Sequence, residues 1–249
     1  MAGHSKWANI KHKKARQDQK RGKVWSKCSR AIMAAAKAGG PNPDMNLGLR
    51  YAVDEAKAAN MPKDTIENAI KKGSGMAGGA GFESIVYEGY AAGGVAVILD
   101  ILTDNRNRTA AEVRKLFEKH SGNLGATGCV AYNFASKGQI FVPKAGVDEE
   151  TLMDTALEAG AEDVLDQEEA WEILTEPSDF MPVRQALQDK GFTFESAQLT
   201  MIPGTTVQVH GRDAEKVLKL IDILEDHDDV QKVHANFDIP DEEWASLEA

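Results

Sequence analysis

Residues 139–201 read QIFVPKAGVDEETLMDTALEAGAEDVLDQEEAWEILTEPSDFMPVRQALQDKGFTFESAQLTM. Short apolar runs in this stretch predict strands, and two longer amphipathic segments predict helices. The strands are expected at residues 139–142, 163–166, 170–174 and 192–201, and the helices at residues 149–159 and 179–190. The order β-α-β-β-α-β is that of a ferredoxin-like unit.

Two half-units, each of the order β-α-β, flank this stretch. The first covers residues 95–134 and follows an extra strand at 84–90, and the second covers residues 205–236. Together they complete a second ferredoxin-like set that the first interrupts at a surface loop, where insertions are tolerated. We therefore expect an α+β protein with a discontinuous α/β domain, residues 81–136 plus 203–249, and an inserted α/β domain, residues 137–202.

The predicted elements of the half-units follow the same periodicity rules. Their strands are expected at residues 95–102, 129–134, 205–210 and 230–236, and their helices at residues 109–120 and 213–225.

Residues 1–80 predict a basic three-helix domain that ends in a Gly-rich linker. A first helix runs from Val24 to a Gly/Pro break at residues 39–43. Asn60 is expected to cap the third helix. The linker GSGMAGGAG, residues 73–81, matches GxGxxG by letters, but it follows a helix, so no dinucleotide site is predicted. The second helix is expected to bury Met45, Leu49, Ala52, Val53 and Ala56.

Positive charge is concentrated at the start of the chain. Ten of the first thirty residues are Lys or Arg and one is acidic, although the whole chain carries a net charge of −10. Such a segment attracts a polyanion, because Lys and Arg contact phosphates while Trp and His can stack on bases. A solvated tail is the alternative interpretation. Nucleic acid is predicted to contact Lys6, Trp7, Lys11, His12, Lys13, Lys14, Arg16, Lys20, Arg21, Lys23, Lys27 and Arg30.

A second candidate site is the segment TDNRNRT, residues 103–109, between a strand end and a helix start. Asp104 or Asn105 is expected to cap the helix, and its free N–H groups with Arg106 and Arg108 form a potential anion or interdomain site. The alternative is an internal Asp–Arg lock that stabilises the turn. The residues alone do not separate these two readings.

Patterns typical of enzymes are missing from the sequence. There is no GxSxG, HExxH or HxH spacing, and the two cysteines are far apart without CxxC context. The run EDHDD, residues 225–229, is expected to end a helix in solvated charge rather than to bind a cation. We therefore expect a non-enzymatic cytoplasmic protein without cofactor, metal site, signal peptide or membrane span.

Several long motifs resemble one known family. MAGHSKWANIKHKKARQDQKRGKVWSK at residues 1–27, YEGYAAGGVAV at 87–97, DNRNRTAAEVR at 104–114 and SGNLGATGCVAY at 121–132 are similar to the YebC, or YebC/PmpR, family. That family includes the mitochondrial translational activator of cytochrome c oxidase. The resemblance implies a helical domain with two α/β domains, one inserted in the other, and it implies no catalytic residue or cofactor.

Two functions are consistent with the resemblance and the charge. The first is a nucleic-acid-binding regulator of gene expression, namely a DNA-binding transcriptional regulator of the YebC type. The alternative is a translation factor that binds ribosomal or transfer RNA and relieves stalled ribosomes. A ribosomal or transcription-machinery protein is a further candidate partner. Since no clear helix-turn-helix with base-reading side chains is visible, the sequence indicates nucleic acid more firmly than DNA.

Overall fold

The computed structural model describes residues 21–75, 81–167, 169–240 and 242–244. The described chain forms two compact units, one of residues 132–206 with 236–238 and one of the remaining residues. The predicted domain boundaries stay a prediction. In chain order the elements are α1 (Arg21–Gly39), α2 (Leu47–Ala58), α3 (Lys63–Gly73), β1 (Glu83–Tyr90), β2 (Ala96–Thr103), α4 (Arg106–Lys119), β3 (Asn123–Leu124), β4 (Phe134–Pro143), α5 (Glu149–Glu158), β5 (Asp163–Asp166), β6 (Ala170–Thr175), α6 (Phe180–Asp189), β7 (Ser196–Pro203), β8 (Val207–Gln208), α7 (Gly211–Asp226), β9 (Val230–Ala235) and β10 (Phe237–Asp238).

Helices α1, α2 and α3 pack around one small aliphatic core. Ile32, Leu49 and Ala56 are fully buried in it. Gly73, the last residue of α3, lies so close to α1 that a Cβ there would clash with the backbone carbonyl of Met33. Glycine therefore permits the close approach of the two helices.

Two details of the predicted helical domain are wrong. Met45 is 84% exposed, because it lies in the turn before Asn46, whose side chain caps α2 by accepting from Leu49 N–H. Asn60 does not cap α3. It ends α2 with φ = 55°, and the bonds Asn60 N–H to Lys57 O and Met61 N–H to Ala56 O form a Schellman motif.

The unit that contains α1–α3 also contains an antiparallel sheet of order β3-β1-β2-β9. β1 and β2 form a hairpin closed by Ala91 N–H to Val95 O, with Gly93 and Gly94 at φ = 70° and 78°. Pairing across so short a loop has a small closure entropy. The extra strand predicted before the first half-unit is therefore the direct neighbour of β2.

Two strands of the half-units were predicted wrongly. Residues 131–133 form a 3₁₀ turn instead of a strand. The strand that follows α4 is instead the two-residue β3, which pairs with β1. The predicted strand at 205–210 is reduced to Val207–Gln208, and His210 precedes α7 as its N-cap residue. Helices α4 and α7 lie within about three residues of their predicted bounds.

The other unit has the predicted β-α-β-β-α-β order in its described residues. Its antiparallel sheet has the order β5-β6-β4-β7, with Ile140, Ile173 and Leu187 fully buried in its core. β7 begins at Ser196 instead of residue 192, because Phe192 N–H bonds to Leu187 O in the turn that ends α6. The predicted α+β class, a helical domain plus two α/β domains of which one is inserted, is confirmed.

Candidate nucleic-acid interface

Helix α1 has a basic stripe and an apolar face. Lys23, Lys27 and Arg30 follow at intervals of four and three residues, so they lie on one side of the helix. Trp25 packs against the core of the helical domain, and its indole N–H donates to Ala59 O at 3.0 Å. The helix therefore presents its cations away from its own bundle.

The basic stripe meets the last turn of α7. Lys23 Nζ donates to Asp226 O at 3.3 Å, and Lys27 Nζ donates to Glu225 O at 2.5 Å. The last carbonyls of a helix have no partner within the helix and carry its negative dipole end, so ammonium groups stabilise them. The acidic run, residues 225–229, thus ends a helix as predicted, and its carbonyls accept hydrogen bonds from α1. The predicted solvation of its charges is wrong for Asp229, which is 5% exposed.

Arg30 extends the same contact beyond the end of α7. Its guanidinium donates to Asp228 O and lies 3.3 Å from Asp229 Oδ1. The guanidinium carbon is also 6.0 Å from the centre of the Phe82 ring. The Arg30 side chain is consequently much less exposed than that of Lys23, at 24% against 53%.

Asp229 is the centre of a buried polar cluster. Its Oδ2 accepts from the hydroxyls of Thr103 at 3.1 Å and Thr109 at 2.7 Å, and from Arg108 at 2.8 Å. Burial opposes ionisation, but the bonds from Arg108, Thr109 and Thr103 outweigh it, so the pKa of Asp229 is lowered. The carboxylate thus joins β2 and α4 to Arg30 of α1.

The segment TDNRNRT forms one side of this cluster. Asn105 is the N-cap of α4, and its side chain accepts from Arg108 N–H at 3.1 Å, which confirms the predicted cap. Arg108 also donates to Asp104 at 2.9 Å, and Arg106 is exposed. Arg108 therefore pairs with Asp104 as in the internal-lock alternative and with Asp229 from outside the segment, whereas anion binding at Arg106 stays a prediction.

A second buried carboxylate, Glu88 on β1, organises the loop that follows β3. It is 3% exposed and accepts from the backbone N–H groups of Gly128 at 2.6 Å and of Val130 and Ala131, both at 2.8 Å. Burial raises the pKa of Glu88, but the three backbone donors together lower it by more, so the net shift is downward. Glu88 therefore joins β1 to this loop through three hydrogen bonds.

Glu88→Ala is expected to lower the free energy of unfolding by about 3 kcal/mol, because three backbone donors would lose their acceptor. Chemical denaturation followed by circular dichroism measures the loss. Glu83→Ala is the matched control, since Glu83 is an exposed carboxylate of the same strand. Equal stability of the two variants would contradict the role of Glu88.

The described residues include neither a metal centre nor a membrane span. No group of three or more His, Cys, Asp or Glu side chains among them is placed to hold a metal ion. Within the same residues, no helix has the length and apolar character to cross a bilayer.

A groove of about 290 Å³ lies between the C-terminal ends of α1 and α3, where Lys37, Lys72 and Phe82 are among its lining residues.

The predicted nucleic-acid contact residues lie partly inside and partly outside the described residues. Lys23, Lys27 and Arg30 lie together against the acidic run, and Arg21 begins α1. The others lie outside the described residues: Lys6, Trp7, Lys11, His12, Lys13, Lys14, Arg16 and Lys20. Sequence reasoning missed Asp229 and Glu88, because their partners are 120 and about 40 residues away along the chain and leave no local pattern.

Comparisons with known proteins cover almost the whole chain. Residues 5–76 match the family model described as the TACO1/YebC protein N-terminal domain, and residues 82–237 match the TACO1/YebC second and third domain. A "Probable transcriptional regulatory protein" of Geobacter sulfurreducens is 57% identical over 99% of this chain and 100% of its own. A protein of the same name from Dictyoglomus turgidum is 54% identical over the same shares.

A solved structure is similar along nearly its full length. It is the crystal structure of a conserved hypothetical protein of Aquifex aeolicus, with a TM-score of 0.84 and 53% sequence identity. The similarity covers 94% of this chain and 97% of that one.

Proposed function

Because the chain belongs to the TACO1/YebC family, we propose that it is a regulator of transcription that binds DNA through its basic N-terminal leader, residues 1–20. The relatives named as transcriptional regulatory proteins are aligned over their full length, so the same domain set is available to both. The proposal includes no catalytic step and no cofactor.

The observation that carries the proposal is the separation of charge along the chain. Six of the first twenty residues are Lys or Arg and one is acidic, within a protein of net charge −10. A polyanion is attracted to the leader and repelled by the acidic remainder, which gives the complex a preferred orientation. Phosphate contacts of this kind supply affinity but little sequence information.

The proposal places the protein in the cytoplasm. Cys28 and Cys129 are free thiols, as expected in a reducing compartment. Burial raises the pKa of the Cys28 thiol to about 11, so it stays protonated and unreactive at neutral pH. A protein of the transcription machinery is the partner we expect the acidic domains to meet.

Crosslinking in cells, followed by sequencing of the bound nucleic acid, tests the proposal. We expect promoter-proximal DNA to be enriched with the natural protein, and the enrichment to be lost when Lys11, Lys13 and Lys14 are replaced by Glu. The matched control replaces the exposed Lys37, Lys71 and Lys72 by Glu and should keep the enrichment. Recovery of ribosomal or transfer RNA instead of promoter DNA would overturn the transcriptional assignment.

A further inference from the structure

We propose that Lys23, Lys27 and Arg30 form a clasp that fixes α1 on the end of α7, and that they are not phosphate ligands of the nucleic acid. The proposal rests on the proposed function, because it divides the cations of that same basic segment into two groups. Asp229 is the residue that positions the clasp. The leader, residues 1–20, then carries the phosphate contacts.

The first argument is the pairing of each cation of the stripe. Lys23 and Lys27 donate to carbonyls of the last turn of α7, and Arg30 reaches Asp228 O and Asp229 Oδ1. These acceptors are fixed backbone and buried oxygens instead of mobile carboxylates at the tips of long side chains. The three cations on one side of α1 therefore all donate to acceptors at the end of α7 or directly after it.

The second argument is the rigidity of the acceptor. The Asp229 side chain is 7% exposed and is also held by Thr103, Thr109 and Arg108. Both threonines are fully buried, so a turn of the carboxylate toward solvent would remove an acceptor from two buried hydroxyls and from Arg108. Asp229 therefore stays in place for Arg30.

The third argument is that a phosphate gains little by displacing Arg30. Salt and competing ions screen partly buried pairs much less than exposed pairs. Removal of Arg30 would also withdraw a donor from a buried carboxylate. Lys23, which is the most exposed of the three, is the weakest member of the clasp.

A further ion pair holds the helical domain on the same side. Lys232 of β9 lies 2.6 Å from Glu55 of α2. The helical domain is thus held through two of its helices. The leader is covalently joined to α1, so the clasp fixes the helix to which the leader is attached. A fixed starting position lowers the orientational entropy lost on binding.

Two double variants of equal charge test the clasp. The clasp variant is Lys27→Ala with Arg30→Ala, and the leader variant is Lys11→Ala with Lys13→Ala. The affinity of each full-length protein for a 20-base-pair DNA duplex is measured between 50 and 200 mM KCl. Loss of two phosphate contacts should reduce the slope of log K against log salt by about 2 in magnitude.

The leader variant should show that reduced slope. The clasp variant should keep the natural slope, while its Kd rises about two- to fivefold at every salt concentration, as expected for a loss of preorganisation. Deuterium exchange should increase in the first turns of α1 and the last turn of α7 in the clasp variant only. A slope reduced equally in both variants, or unchanged exchange at both helix ends, would overturn the clasp.

Two further results keep the tests separate. If the natural protein shows no salt-dependent binding, the proposed function fails, and the exchange measurement still decides whether the clasp exists. If the double clasp variant does not fold, Lys27→Met alone replaces it, because methionine keeps an unbranched apolar side chain but has no charge. The exchange criterion is unchanged for that variant, and the slope reduction that would overturn the clasp is about 1, because only one cation is removed.

Discussion

Asp229→Ala should lower the free energy of unfolding by about 3 kcal/mol, because it leaves two buried threonine hydroxyls and two guanidinium groups without their shared acceptor. The loss is measured by urea denaturation at pH 7. Asp228→Ala is the matched control, since Asp228 is exposed and only its backbone carbonyl contacts Arg30. That control should stay within about 0.5 kcal/mol of the natural protein.

The effect of Asp229 should also depend on pH. Its pKa in the folded protein is lowered, so its contribution is fully present above the unfolded pKa of about 3.9 and is lost as pH falls through the folded pKa. The stability difference between the natural protein and Asp229→Asn should therefore be constant from pH 7 to 5 and should shrink below about pH 4. A difference that grows on acidification would contradict an ionised Asp229.

Deletion of residues 1–20 should weaken DNA binding at least about 100-fold at low salt and leave the remaining protein folded. If about five phosphates are neutralised by the leader, log K of the natural protein should fall with log salt at a slope of about −3.5 to −4.5. The truncated protein should lose most of that slope. Fluorescence anisotropy with a labelled duplex between 50 and 200 mM KCl measures both quantities.

The control for this deletion is the triple variant Lys37→Ala, Lys71→Ala and Lys72→Ala, which removes exposed charge from the helical domain. It should bind DNA within about threefold of the natural protein, since these lysines lie at the ends of helices where they offset the dipole. Thermal melting by circular dichroism confirms that both proteins are folded. Full affinity after deletion of the leader would refute its role.

Much of the fold follows from local patterns. The β-α-β-β-α-β order of residues 134–203 agrees with the periodicity, because each element has its own apolar stripe and its own turn residues. Errors occurred where backbone geometry competes with composition. Residues 129–134 were predicted as a strand, but residues 131–133 form a 3₁₀ turn, and Ala131 N–H bonds to the buried carboxylate of Glu88 on β1.

The candidate site was only half visible in the sequence. The concentration of Lys and Arg at the start of the chain identified a polyanion-binding segment, because net charge is a sum over residues and needs no fold. The same sum treats Lys11 and Arg30 alike. It could not show that Arg30 has a partner 199 residues away.

The sequence alone therefore determined the class of elements, the inserted order of the domains and the sign of the charge at each end. These properties depend on neighbouring residues or on simple totals. Only the tertiary structure decided that Asp229 is buried, that Arg108 has two carboxylate partners and that the basic stripe of α1 contacts α7. The physical reason is that the sequence gives the chemical identity of a carboxylate or ammonium group. Its burial and its partners depend on residues that are distant in the chain.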